Sequence, residues 1–265
     1  MPNQNQESER RMDFRTIFDT VPDQFDAWRP RYCDELFADL IEYAKLDIEK
    51  TVLEVGPGTG QATEPILKTG CSYVAIELSE VFTAFMQNKF GSYGNFEIVN
   101  ADFEKHDFEH AQFDLIYSAA AFQWIPEKIG YPKAYEITKS GGAFAMFLMR
   151  PDIQPGGGYT HEPLYTKIQE VYTKYFHPAT EYKCQLDYDA RDQYGFVDLE
   201  CREYRKTRAY DADGYVSLIG THSDHIALQE PYRSKFFEGI REVILAFGNK
   251  IVLYDKITMY LARKP

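Results

Sequence analysis

The chain has little of what would place it in several common classes. No apolar run approaches the roughly twenty residues needed to cross a bilayer. Met1 to Arg15 is polar and charged, without an apolar stretch of signal-peptide type. Basic charge is scarce, 29 Lys and Arg against 41 Asp and Glu, for a formal net charge of −12. Phosphate neutralisation needs clustered cations, so this balance argues against nucleic acid and equally against an anionic membrane surface. The four cysteines, Cys33, Cys71, Cys184 and Cys201, have neither C-x-x-C spacing nor disulfide density and read as reduced, mostly packing residues. The absences together predict a soluble cytoplasmic chain, and 265 residues are enough to bury a core.

What is present is concentrated in Thr51-Val-Leu-Glu-Val-Gly-Pro-Gly-Thr-Gly-Gln61. The β-branched run Thr51 to Val55 reads as a buried strand. Gly56, Gly58 and Gly60 then make a turn that can take positive φ and let backbone approach a ligand closely. A helical stretch, Gln61 to Lys68, follows, so its unpaired N–H groups point back toward that ligand. A second apolar run, Ser72 to Leu78, carries Glu77 about twenty residues past the first glycine, where an acid accepts from both hydroxyls of a ribose. Strand, glycine turn, helix and acid-ended strand form a unit for an adenosine-type cofactor. The nicotinamide and flavin fingerprint G-x-G-x-x-G fails at Gln61; the pattern is E-x-G-x-G-x-G, with Glu54 inside the strand.

That pattern resembles motif I of the class I S-adenosylmethionine (SAM) methyltransferases, and other segments match in order. Glu97 to Phe103 reads as a third strand ending in an acid and an aromatic. Phe113 to Ile125 resembles motif IV, a central strand and its active-site loop. Glu136 to Phe147 resembles the helix, Gly-Gly turn and fifth strand that follow. Phe25-Asp-Ala-Trp-Arg-Pro-Arg-Tyr32, Phe122-Gln-Trp-Ile125 and Thr221-His-Ser-Asp-His225 are similar to the methyltransferase type 11 group, which includes trans-aconitate methyltransferase. The resemblance implies cofactor contacts from Glu54, Gly56, Pro57, Gly58, Thr59, Gly60, Glu77, Leu78, Asp102, Phe103, Ser118 and Arg29. Within that set, Glu54 lies near the amino-acid end of SAM, Asp102 accepts from the adenine amino group and the neighbouring Phe103 packs on the ring.

The expected fold is α/β: a Rossmann-like, seven-stranded, mostly parallel sheet with helices on both faces, the last strand antiparallel, plus an α-rich lid insertion after strand five. Residues 1–12 read as a disordered tail, 13–150 as the SAM-binding core and 151–195 as the lid. Residues 196–265 complete the sheet, with a second small insertion at 211–230. Arg31 to Lys45 has the apolar spacing of a helix, as does Leu164 to Tyr175, and Pro231 to Phe247 stops at Gly248-Asn249. Phe196 to Tyr210 reads as a strand with Val197, Leu199 and Cys201 on one face. Ile251 to Leu261 alternates as a final strand. Ten of the twenty tyrosines fall between Tyr159 and Tyr215; they either line an acceptor pocket in a lid or pack the insertion with their hydroxyls in water.

Methyl transfer from a sulfonium is an in-line displacement, in which orientation alone can contribute roughly 7–11 kcal/mol. A small-molecule acceptor is expected, and a carboxylate would need cations rather than a base. Arg29, Arg31 and Arg150 are the candidates, Arg29 alternatively reaching the cofactor's own carboxylate and each alternatively anchoring a loop. Gln123 and Trp124 follow strand four; Trp124 either contacts the sulfonium or anchors Pro126. His222 and His225 offer a polar contact to cofactor or acceptor, and no metal is expected, a third ligand at helical spacing being absent. His106 and His110 read as solvated. The product would be S-adenosyl-L-homocysteine (SAH). A SAM-binding protein without turnover and a nicotinamide-dependent oxidoreductase are the alternatives.

Overall fold

A computed structural model describes residues 14–152, 162–178 and 186–265. Seven strands form one sheet: β1 (Thr51–Val55), β2 (Ser72–Glu77), β3 (Phe96–Asn100), β4 (Phe113–Ala119), β5 (Thr138–Pro151), β6 (Val197–Tyr210) and β7 (Ile251–Arg263). Their order is β3-β2-β1-β4-β5-β7-β6. The first five pair in parallel, with Val52 opposite both Tyr73 and Leu115. β7 runs antiparallel to β5: Gly141 bonds to Lys264, while Asp152, further along β5, bonds back to Tyr254. The order reverses between β1 and β4, and open α/β sheets bind ligands beyond the carboxyl ends of strands at such a reversal.

The helices are α1 (Pro22–Trp28), α2 (Asp34–Ala44), α3 (Thr63–Leu67), α4 (Glu80–Phe90), α5 (Glu127–Ile137), α6 (Glu162–Tyr175), α7 (Ala212–Ile219), α8 (Ser223–Ile226) and α9 (Tyr232–Ala246). The chain divides into two compact units. One comprises Pro30–Met149, Cys184–Tyr204 and Ile257–Pro265. In it the two-residue period of the strands splits the core. Val52, Tyr73, Leu115, Tyr117, Ala145 and Met259 pack under α2, α3 and α4. Leu53, Ile76, Ile116, Phe144 and Met146 pack on the other face with α5 and the 186–196 segment. α2 buries Leu36, Phe37, Leu40, Tyr43 and Ala44 and stops at left-handed Lys45, φ 50°. α4 begins where the Ser79 hydroxyl accepts from the Phe82 N–H at 3.0 Å, the cap expected at that position.

The other unit comprises Met1–Arg29, Arg150–Lys183 and Arg205–Lys256. Its core is helical, with Leu164 and Ile168 of α6, Leu218 of α7 and Phe236, Ile240 and Ile244 of α9 meeting Ile251 and Leu253. α9 ends as Gly248-Asn249 predicts, Gly248 at φ 91°.

Several boundaries move. The helix expected from Gln61 begins at Thr63, because 58–62 are turns. Thr138 and Lys139 belong to β5, and the Gly141-Gly142 irregularity lies inside that strand. Val197, Leu199 and Cys201 bury no face: β6 is a sheet edge, and residues 197–201 are all exposed. The second insertion is α7 and α8. The tail at 1–12, the Pro/Gly loop, Tyr159, Tyr182 and Cys184 lie outside the described residues, so only part of the expected lid, including α6, is described.

Candidate cofactor site

All of the motif residues except Arg29 fall in the unit built on the parallel strands. β1 ends at Val55, and the chain turns through Gly56, Gly58 and Gly60 at φ +67°, +59° and +86°. Gly60 N–H donates to the Pro57 carbonyl at 3.0 Å, closing the turn. Pro57, Thr59 and Gly60 are buried; Gly56 and Gly58 keep accessible surface. A Cβ on Gly56 would lie 2.5 Å from that of Ala121, just past β4, and one on Gly60 would lie 2.5 Å from the Phe90 ring of α4. Two of the three glycines are thus required by close packing of neighbouring segments. The turn is braced by Lys89, whose ammonium donates to the Thr59 carbonyl at 2.9 Å, and by Gln61, whose amide donates to the Thr59 hydroxyl at 2.6 Å.

Glu77 ends β2 with its carboxylate at this turn. One oxygen accepts from the Gly58 N–H at 3.2 Å and the other from the Ser79 N–H at 2.9 Å. Asn100 of β3 donates to the carbonyls of Glu77 and Leu78, at 3.0 and 3.2 Å, fixing the strand end. Beyond β3, Asp102 accepts from the Glu104 N–H at 3.0 Å, and Phe103 is buried against Phe108 and Phe122. The Lys133 ammonium lies 5.6 Å over the Phe103 ring, with burial holding its pKa below the usual lysine value. The Ser118 hydroxyl is spent on the Val55 carbonyl at 2.8 Å, tying β4 to the end of β1.

Glu54 is fully buried beneath the turn. Its Oε2 accepts from the Thr63 hydroxyl at 2.6 Å and from the Tyr73 hydroxyl at 2.5 Å, and Tyr73 in turn meets the Tyr117 hydroxyl at 2.5 Å. Oε1 has no hydrogen-bond partner among the described residues. Burial pushes the carboxyl up to about 7, against the lowering effect of the Thr63, Tyr73 and Tyr117 hydroxyls. Sequence reasoning missed this cluster. Alternation puts these residues on one face, but only the register, which sets Glu54 beside Tyr117, brings them together.

Past β4 the chain turns at Ala120, φ 58°, into a short 3-10 turn, Phe122–Trp124. Gln123 accepts from the Tyr188 hydroxyl at 3.1 Å. Tyr188 stacks on Tyr260, and Glu127 holds both the Asp187 N–H, at 3.0 Å, and the Tyr194 hydroxyl, at 2.9 Å. The 186–194 segment is therefore pinned to α5 and to the turn after β4. Trp124 is half-buried. The hydroxyls of Tyr188, Tyr194 and Tyr204, the last bonded to Asp39, have protein partners rather than water alone.

Arg29, Arg150 and His222 belong to the helical unit. Arg29 donates to the Thr221 carbonyl at 2.7 Å and lies 4.9 Å over the Phe25 ring. Arg150 and Arg31 are exposed. His222, Asp224 and His225 bring ligand atoms within 4.8 Å of one another, a spacing a metal could use. Both nitrogens of His225 are already engaged. Nδ1–H donates to Asp224 at 2.7 Å, which leaves Nε2 to accept from the Tyr172 hydroxyl at 2.9 Å.

Residues 53–146 match the Methyltransf_11 family, described as a methyltransferase domain. The ribosomal RNA small subunit methyltransferase A of Hahella chejuensis is 40% identical over 60 residues, 23% of this chain and 22% of that protein. The sterol 24-C-methyltransferase of Saccharomyces cerevisiae is 32% identical over 101 residues, 36% and 26% of the two chains. The chain thus spans about a quarter of the length of these curated relatives. Among solved structures, a putative type II methyltransferase from Anaeromyxobacter dehalogenans superposes with a TM-score of 0.62 at 17% identity, covering 89% of this chain and 97% of that one. A Haemonchus contortus phosphoethanolamine N-methyltransferase, solved with phosphomonomethylethanolamine and SAH, gives 0.58 at 14%, covering 96% and 59%. At these identities the superpositions establish the fold.

Proposed function

We propose, on the premise that residues 53–146 form a Methyltransf_11 methyltransferase domain on a class I fold, that this protein moves a methyl group from SAM to a small-molecule acceptor. The observation that carries the reading is Glu77. Its two carboxylate oxygens sit at the tip of β2, held by the Gly58 and Ser79 N–H groups, one strand away from the reversal between β1 and β4 and against the turn that ends β1. A carboxylate presented in this way accepts from two vicinal hydroxyls, the feature of a ribose. Gly56 and Gly58 leave backbone open beside it.

In this reading Glu77, Gly56, Gly58 and Leu78 hold the ribose and the amino-acid chain, and Asp102 takes the adenine edge. The side chains of Thr59, Ser118 and Phe103 act from beneath by fixing the turn, the end of β1 and the wall of the site. Bound SAM would supply an already activated methyl group, so the residues have only to orient the reactants and exclude water. Gln123 and Trp124 flank the approach after β4. The net charge of −12 favours a small acceptor over nucleic acid, and no helix among the described residues is long and apolar enough to cross a membrane.

Calorimetry with SAM, SAH and NAD tests the cofactor, and methyl transfer from labelled SAM into a metabolite extract tests turnover. Binding of the SAM pair alone, with label transferred, is the expected result. Binding without transfer would leave a SAM-binding protein, and binding of NAD instead would overturn the proposal.

A further inference from the structure

The corner after β3, residues 101–108, carries Asp102 and Phe103 and has no strand or helix of its own. Its local bonds make it a tight turn. The Asp102 carbonyl accepts from the Lys105 and His106 N–H groups, both at 2.9 Å, and Asp102 Oδ1 accepts from the Glu104 N–H at 3.0 Å. On the side of β2, the Ala101 N–H donates to the Glu77 carbonyl at 3.0 Å. α5 grips the same corner through one residue. The Lys133 ammonium donates to the Glu104 carbonyl at 3.2 Å and stands 5.6 and 5.7 Å from the centres of the Phe103 and Phe108 rings. The helix that carries it is anchored, with Tyr131, Ala134 and Ile137 buried.

Glu104 therefore joins two bonds in series: its carbonyl meets Lys133, and its N–H meets the Asp102 carboxylate. Only 10% of the Asp102 side chain is exposed, so the direction of its oxygens depends on protein partners, of which the Glu104 N–H is one. The Lys105 ammonium, 3.6 Å from Oδ2, is 79% exposed and adds little. Lys133 is half-buried, and burial lowers its pKa against the pull of Asp107, Asp102, Glu136 and Glu104. Withdrawing an ammonium from water is costly without compensation. Here a carbonyl and two ring faces supply it.

We infer that Lys133 is a positioning residue for Asp102: by clamping Glu104 and the Phe103 and Phe108 rings it sets the direction of the carboxylate, and so makes the site select a purine with a 6-amino group. The inference rests on the SAM reading, in which Asp102 meets the adenine edge. An amino group there donates to the carboxylate, whereas a 6-oxo group would turn its lone pairs toward it. Selection between the two therefore depends on where the carboxylate oxygens point. Without the clamp the turn can tilt and that alignment is lost, while Glu77 keeps its own bonds to Gly58 and Ser79.

The test is calorimetric titration of the full-length protein, Lys133→Met and Lys133→Arg with SAH and with S-inosylhomocysteine, its 6-oxo analogue, each fold being checked by circular dichroism. Wild type is expected to favour SAH by about tenfold or more, the scale of a hydrogen bond to a charged group. Lys133→Met should narrow that ratio by about threefold or more, the scale of a cation–π contact. Lys133→Arg should keep it, because a guanidinium retains both a charge over the rings and a donor for the Glu104 carbonyl. A ratio of affinities is insensitive to the fraction of protein folded, so a merely structural lysine would lower both affinities in step. Phe108→Leu removes one ring of the clamp; it should narrow the ratio too, and it replaces Lys133→Met if that variant does not fold. A wild-type protein that binds both ligands alike, a ratio unchanged in the folded clamp variant, or a ratio that Lys133→Arg narrows as far, overturns the inference and leaves the SAM reading standing. No SAH binding by wild type removes the SAM reading, and the inference with it.

Discussion

Glu54→Gln isolates the effect of burying one titratable carboxyl. The Glu54 carboxyl titrates near 7 in the fold, against an ordinary value of 4.5, because burial outweighs its hydrogen bonds. A raised carboxyl means that the folded state holds the proton more tightly than the unfolded chain. The resulting stability is complete below about pH 4.5 and is lost as the pH rises through about 7. At 1.36 kcal/mol per pKa unit the loss amounts to about 3 kcal/mol by pH 8. A glutamine cannot ionise, and its carbonyl keeps the bonds from Tyr73 and Thr63, although its amide group adds a donor that needs a partner, at a cost of about 1–3 kcal/mol. The two tyrosines are pushed up by the same burial and do not titrate in this window. Urea unfolding of both proteins between pH 5 and 8.5 is the assay. The gap between wild type and Glu54→Gln should move in favour of the variant by about 2.5 kcal/mol over that range, the rest of the loss lying below pH 5. Parallel curves would show that Glu54 is ionised in the fold at neutral pH and would refute the burial argument.

Glu77→Ala should weaken SAH binding by about 10- to 150-fold, the equivalent of roughly 1.5–3 kcal/mol for hydrogen bonds to a charged group; calorimetry giving unchanged affinity in a folded variant would contradict the site. Gly58→Val places a branched side chain at φ +59° and should abolish SAH binding while circular dichroism still reports a fold. Gly60→Ala should behave differently. Its Cβ meets the Phe90 ring, so stability should fall by about 1–3 kcal/mol in urea unfolding, with SAH affinity in the surviving folded protein within about threefold of wild type.

The strand, turn and acid-ended strand around Thr51 to Glu77 were legible because each is a local event. β-branched residues favour the extended backbone, glycine alone takes positive φ without strain, and an acid twenty residues on follows from the length of one helix and one strand. The two-residue alternation of Ile251 to Leu261 likewise announced a buried strand at the far end of the chain. Local signals failed where exposure depends on position in the sheet. Val197 and Leu199 alternate like core residues, yet both are exposed on β6, the edge strand of the described sheet.

The partnerships inside the site depended on register and packing, which single-chain patterns do not encode. Nothing near Glu54 in sequence points to Tyr117, 63 residues away, which strand pairing sets beside it. Gly60 looks like a ligand-approach glycine until the Phe90 ring is found where its side chain would be. Gln123 gains Tyr188, and the Thr221 carbonyl gains Arg29, from segments 65 and 192 residues distant. The sequence by itself determined which residues could line a nucleoside site, because backbone conformation and side-chain chemistry are local. Tertiary structure alone decided which of them keep open surface, which are spent on one another and what charge surrounds each, because burial and electrostatics are properties of neighbours.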